Sequence, residues 1–133
     1  MALVSLRSIL WLDGGGGFLV GVLMLALSTW LLPLFRLPEP VYFTITAANL
    51  AYGVFGLFLA SRRSRSQRMV AALAIANAAW GVFCVVALIL LAGRASLFGL
   101  AHIASEGAFV FWLARVEWRN RALLATTDPA PTP

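Results

Sequence analysis

The sequence predicts an all-α protein, a four-helix transmembrane bundle running up-down-up-down with the N and C termini cytoplasmic. Three observations carry that expectation. Hydrophobic residues make up 62% of the chain and charged residues 11%, against about 25% charged in soluble domains. The charges are clustered, which leaves four apolar runs of near-spanning length. The arginines are also distributed unevenly about those runs. Arg7, Arg62, Arg63, Arg65, Arg68, Arg115, Arg119 and Arg121 fall on one side, and only Arg36 and Arg94 on the other. Cationic loops are retained in the cytoplasm, so the first group marks the inside.

The first apolar run covers about 3–32. Arg7 ahead of it also fits a signal peptide cleaved near Ser28, but the run is longer than a usual signal core, and Asp13 and Gly14 to Gly17 interrupt it. A first membrane helix is the better reading, with Trp30 as an interfacial anchor. Pro33 to Pro40 reads as a loop, because proline ends one helix and starts the next. The second helix covers about 41–60 and carries no charge. The segment Ser61 to Arg68, SRRSRSQR, holds four arginines in eight residues and belongs in water, as a hinge between two helices. The third helix covers about 69–92 and is again uncharged. Gly93 to Ser96 is a tight turn. The fourth helix covers about 97–116 and is closed by Arg115, Glu117, Trp118, Arg119 and Arg121. Residues 1–121 thus form one membrane domain. Residues 122–133, ending TTDPAPTP, are expected to be a disordered tail.

The phrase Ala48-Asn49-Leu50-Ala51-Tyr52-Gly53-Val54-Phe55 before the hinge returns after it as Ala76-Asn77-Ala78-Ala79-Trp80-Gly81-Val82-Phe83. Asp13 to Phe18 also aligns with Asn77 to Val82, which would relate two hairpins by an axis along the membrane normal.

Residues three, four and seven apart share a helix face. Each predicted helix has one such face headed by a polar residue: Asp13, Gly16, Gly17 and Val20; Asn49, Tyr52, Gly53 and Gly56; Asn77, Trp80, Gly81 and Cys84; His102, Ser105, Glu106 and Phe109. Polar groups avoid lipid and small residues allow close approach, so these faces should turn toward one another. Asp13, Asn49, Asn77, His102 and Glu106 are therefore the candidate buried polar cluster for ligand or proton binding. Depth along the helices, at about 1.5 Å per residue, puts Asp13, Asn77 and Glu106 in an inner layer beneath Asn49 and His102. Two carboxylates in one such interior should not both carry charge unless water or a cation joins them. Tyr52, Trp80, Phe55, Phe83 and Phe109 are the candidate aromatic pocket for an apolar molecule. Gly17 and Gly21 form a GxxxG match for helix contact. The Gly14 to Gly17 run is expected either to pack closely or to unwind. Arg62, Arg63, Arg65 and Arg68 are candidates for a lipid headgroup or a partner protein.

His102 and Glu106 have a spacing that can present two metal ligands, but only Asp13 could join them, so no metal is expected. Cys84 stands alone, which excludes an internal disulfide. No nucleophile–base pair and no phosphate-binding loop lies in an aqueous segment. A non-enzymatic protein without a cofactor or a nucleic-acid partner is expected.

Asn77-Ala-Ala-Trp80 and the helix ending Glu117-Trp118 resemble small four-helix bacterial inner-membrane proteins to which no activity is assigned. The size and the acid in the first helix are also similar to small multidrug-resistance transporters, from which no residue is carried over. The expected role is binding or accessory contact with a partner, a lipid or an apolar ligand in the bacterial inner membrane. The alternative is proton-coupled export of hydrophobic or cationic compounds by a homodimer.

Overall fold

The computed structural model describes residues 2–125, with side chains from Ser8 onward. Five helices account for nearly all of it: α1 (Ala2–Ala26), α2 (Ser28–Phe35), α3 (Glu39–Ser61), α4 (Gln67–Leu91) and α5 (Leu97–Leu124). Four of them hold a segment long and apolar enough to cross a membrane: Ser8–Ala26, Glu39–Ser61, Gln67–Leu91 and Leu97–Leu124. The chain thus has the helices of a multi-pass membrane protein.

The boundaries correct the sequence reading at three places. The single first helix over 3–32 is two helices. Leu27 leaves helical backbone at φ −101°, ψ 16°, and the short α2 then takes up Pro33. Arg36 ends α2 in the left-handed region at φ 51°, with its N–H on the Leu32 carbonyl, a backbone state used to stop helices. The loop over 33–40 therefore shrinks to 36–38. Pro40 sits in the first turn of α3, where its missing N–H costs nothing. The fourth membrane helix does not end near 116 but runs to Leu124. Residues 122–124 are thus helical rather than tail, and residues 126–133 lie outside the described residues.

Helix ends are satisfied by local chemistry. The Ser66 side chain accepts the Met69 N–H at the start of α4, and the Ser96 side chain accepts the Gly99 N–H at the start of α5. Ser96 also ties α5 to the end of α2, its N–H on the Phe35 carbonyl at 2.9 Å and its hydroxyl on the Leu34 carbonyl at 2.6 Å.

The membrane helices associate as two close pairs, α1 with α3 and α4 with α5. In the first pair backbone meets backbone. Gly14 lies against Gly56 and Leu57, Gly53 against Phe18, and Gly21 against Leu50, so numbers rising in α1 fall in α3. A Cβ on Gly56 would sit 2.7 Å from the Gly14 Cα. The Gly-rich run thus stays helical, and the Gly17/Gly21 match lies on the contact face. In the second pair Gly81 receives the Phe111 ring and Gly107 receives Cys84.

Two apolar clusters hold the pairs together at either end. One is built from Met24, Leu37, Tyr42, Ile45, Cys84, Ala87, Leu91 and Ile103. The other is built from Leu10, Leu59, Ala60, Val70, Leu73 and Leu124. Elsewhere the exposed surface of the helices is large and apolar, including Leu19, Val54, Ile75, Ile89 and Trp112, as lipid contact requires.

Candidate functional site

Between the two apolar clusters the pairs stand apart and leave a cavity of about 700 Å³. The predicted faces account for its lining. All four named residues of the first helix line it (Asp13, Gly16, Gly17 and Val20), as do all four of the last (His102, Ser105, Glu106 and Phe109). From α3 come Asn49 and Tyr52, and from α4 Asn77, Trp80 and Phe83. Gly53 and Gly56 turn instead to α1, and Gly81 and Cys84 to α5. Glycine let each helix touch its pair partner on one side of the predicted face while the polar residues turned to the gap.

Phe55 does not belong to the aromatic wall; it does not line the cavity. The α3 face toward α1 is fixed by Gly53 and Gly56. Tyr52 flanks that face, and Phe55 lies about 60° further round, at about 100° per residue. Tyr52, Trp80, Phe83 and Phe109 remain, with the Trp80 and Phe83 rings stacked at 4.5 Å.

The predicted polar cluster is divided in two. In the first group Asp13 accepts the Tyr52 hydroxyl through Oδ2. Asn77 Nδ2 donates to the same oxygen at 3.3 Å and to Glu117 Oε2 at 3.0 Å. In the second group Glu106 Oε1 accepts from Asn49 Nδ2 at 2.6 Å and from Trp80 Nε1 at 2.7 Å. Its other oxygen faces His102 Nε2 at 3.3 Å. The His102 ring stacks on Phe35 of α2, centroids 5.1 Å apart.

Glu106 therefore belongs with Asn49 and His102, and Glu117 takes the place expected for it beside Asp13 and Asn77. The expected layers differ from these groups because the membrane helix does not end near 116. α5 continues past Arg115, and Glu117 is wholly buried while Arg115 and Arg119 on either side are exposed. A signal for Glu117 existed. It follows Glu106 by eleven residues, about three turns, and so shares its face.

These bonds also join the two pairs. Asn77 to Asp13 and Asn49 to Glu106 are hydrogen bonds from one pair to the other. They tie together helices that elsewhere in this stretch are separated by the cavity.

The hinge arginines differ from one another. Arg65 is 5% exposed, and its Nη1 donates to the Leu59 and Ala60 carbonyls at 3.3 and 3.1 Å. It closes the C-terminus of α3, where a cation meets the negative end of the helix dipole. Arg62, Arg63 and Arg68 are exposed. The Arg62 guanidinium lies over the Phe58 ring at 5.0 Å. No group of three or more His, Cys, Asp or Glu side chains able to hold a metal ion is present among the described residues.

No family model, curated protein or solved structure matches this chain, so its function is read from this geometry.

Proposed function

We propose that the protein is a non-enzymatic, four-span component of the bacterial inner membrane that binds a small, largely apolar molecule between its two helix pairs. Both termini and the Ser61 to Arg68 hinge lie in the cytoplasm in this reading, as the arginine asymmetry implies. The single observation that carries it is the cavity. Its volume, about 700 Å³, falls in the range of small-molecule pockets, roughly 300–1,000 Å³. Its walls are aromatic and small, and its polar groups converge from four helices. Glu106 is the anchor. Asn49 and Trp80 hold its Oε1, which orients Oε2 and His102 toward a donor group on the ligand. With two carboxyls and no arginine in the lining, the site favours a neutral or cationic head over an anionic one.

The test uses Gly16, which lines the cavity and where a Cβ meets nothing within 4 Å. Gly16→Leu fills space without disturbing a helix contact and replaces glycine by a better helix former. Native mass spectrometry of protein taken from its own membrane into nanodiscs should show a small-molecule adduct on wild type. The adduct should be absent from Gly16→Leu at unchanged helicity. An adduct that survives the substitution, or a wild type that carries none, defeats the proposal.

A second reading, proton-coupled export of a hydrophobic or cationic compound by a homodimer, draws on Asp13, a buried carboxyl at the cavity wall. Reconstituted protein should then move protons on addition of substrate, and Asp13→Asn should abolish the movement.

A further inference from the structure

We propose that the Asp13–Asn77–Glu117 cluster is a binding site for one positive charge, a proton or a monovalent cation, on hydrogen-bond partners separate from those of Glu106. Asp13, Asn77 and Glu117 are 2%, 1% and 0% exposed. The hydrogen-bond partners of the two carboxyls are Tyr52 and Asn77. The elements meeting here are α1 with Asp13, α3 with Tyr52, α4 with Asn77 and α5 with Glu117, and among the described residues no cationic side chain is hydrogen-bonded to either acid.

Counting donors against acceptors gives the same answer. An asparagine amide offers two hydrogens and a tyrosine one. Tyr52 and one Asn77 hydrogen go to Asp13 Oδ2, and the other Asn77 hydrogen goes to Glu117 Oε2. The donors are then spent. Asn77 Oδ1 and Glu117 Oε1 are buried without a hydrogen-bond partner. Unmatched buried acceptors are costly and uncommon, and here both belong to a site with two acids. Both carboxyls also accept from the same amide nitrogen, Asn77 Nδ2, which holds them close together. Two ionised carboxylates can only accept, so two of them buried around one amide call for a proton on one or a cation between them. The bound charge neutralises one acid and engages an oxygen left unmatched, Glu117 Oε1. Nothing else changes: no bond other than to the ion or proton is formed.

The experiment separates the two sources. In nanodiscs free of added ligand, infrared spectra of wild type, Glu117→Gln, Asp13→Asn and Glu106→Gln report protonated carboxyl groups. Melting in sodium chloride against choline chloride at equal ionic strength reports a monovalent cation. A bound proton gives a carboxylic-acid band that is lost in Glu117→Gln or Asp13→Asn and kept in Glu106→Gln. A bound cation gives a sodium-dependent rise in Tm that Glu117→Gln abolishes. The glutamine is isosteric and still accepts from Asn77, and circular dichroism checks that each variant is folded. A wild type with both effects absent, or a band that only Glu106→Gln removes, overturns the proposal. Occupancy of the cavity by a ligand is tested separately, by Gly16→Leu.

Discussion

Gly16→Ala and Gly56→Ala make the same chemical change in two membrane helices and should have opposite effects. Each exchanges glycine for the best helix former, a gain of up to about 1 kcal/mol. At Gly16 the new methyl meets nothing within 4 Å, so that gain is all there is. At Gly56 the methyl would lie 2.7 Å from the Gly14 Cα and 3.1 Å from its N. Carbon atoms rest at about 3.5–4.0 Å, so α1 and α3 must separate by about 1 Å. The obstacle is backbone, which cannot rotate aside. Overpacking of this kind costs about 1–3 kcal/mol. Because the propensity gain is common to both, the difference between the two variants isolates the packing cost. It should fall at about 1–3 kcal/mol, with Gly16→Ala the more stable. Reversible unfolding by sodium dodecyl sulfate in mixed micelles, followed by circular dichroism, measures it. Separation of α1 from α3 should also loosen Asp13 from Tyr52, since Asp13 is the neighbour of Gly14. Equal stabilities for the two variants would refute the backbone seam between α1 and α3, and with it the placement of the cavity.

Arg65→Ala should lower stability by about 1 kcal/mol in the same titration, because two C-terminal carbonyls of α3 lose a charged donor, while Arg68→Ala should stay within about 0.5 kcal/mol. Glu106→Gln keeps a carbonyl for Asn49 and Trp80 and should change stability by less than about 1 kcal/mol. Glu106→Leu strands both donors and should cost roughly 1–3 kcal/mol for each, with a shift in tryptophan emission as Trp80 loses its partner. Cys84, buried in the seam with Gly107, should resist a membrane-permeant maleimide in the native bundle and react fully once the bundle is unfolded. Rapid labelling of native protein would place Cys84 outside that seam.

The chain by itself determined the number of spanning segments, because hydrocarbon of fixed thickness selects runs of fixed length and only a few charges interrupt these. It also determined which residue heads each interior face, because the helical repeat brings residues three and four apart to one side. Asp13, Asn49, Asn77, His102 and Glu106 were all legible in that way, and all five line the cavity. Which of them touch was not legible. That depends on tilt, on the length of α5 and on the reach of side chains across a gap, and none of these follows from spacing within one helix. Glu117 shows the difference. In the sequence it stands among Arg115, Arg119 and Arg121 as part of a charged helix end, yet its face of α5 turns inward and buries it against Asn77. Arg65 shows the same at the hinge, where one arginine of four folds back onto carbonyls that the linear chain gives no reason to single out. The tertiary structure also decided how the glycines divide. Gly14, Gly53 and Gly56 bring two backbones together, while Gly16, two residues along α1 from Gly14, faces open space. Helical periodicity defines faces but not neighbours, and the neighbours arise only when four helices share out their contact surfaces at once.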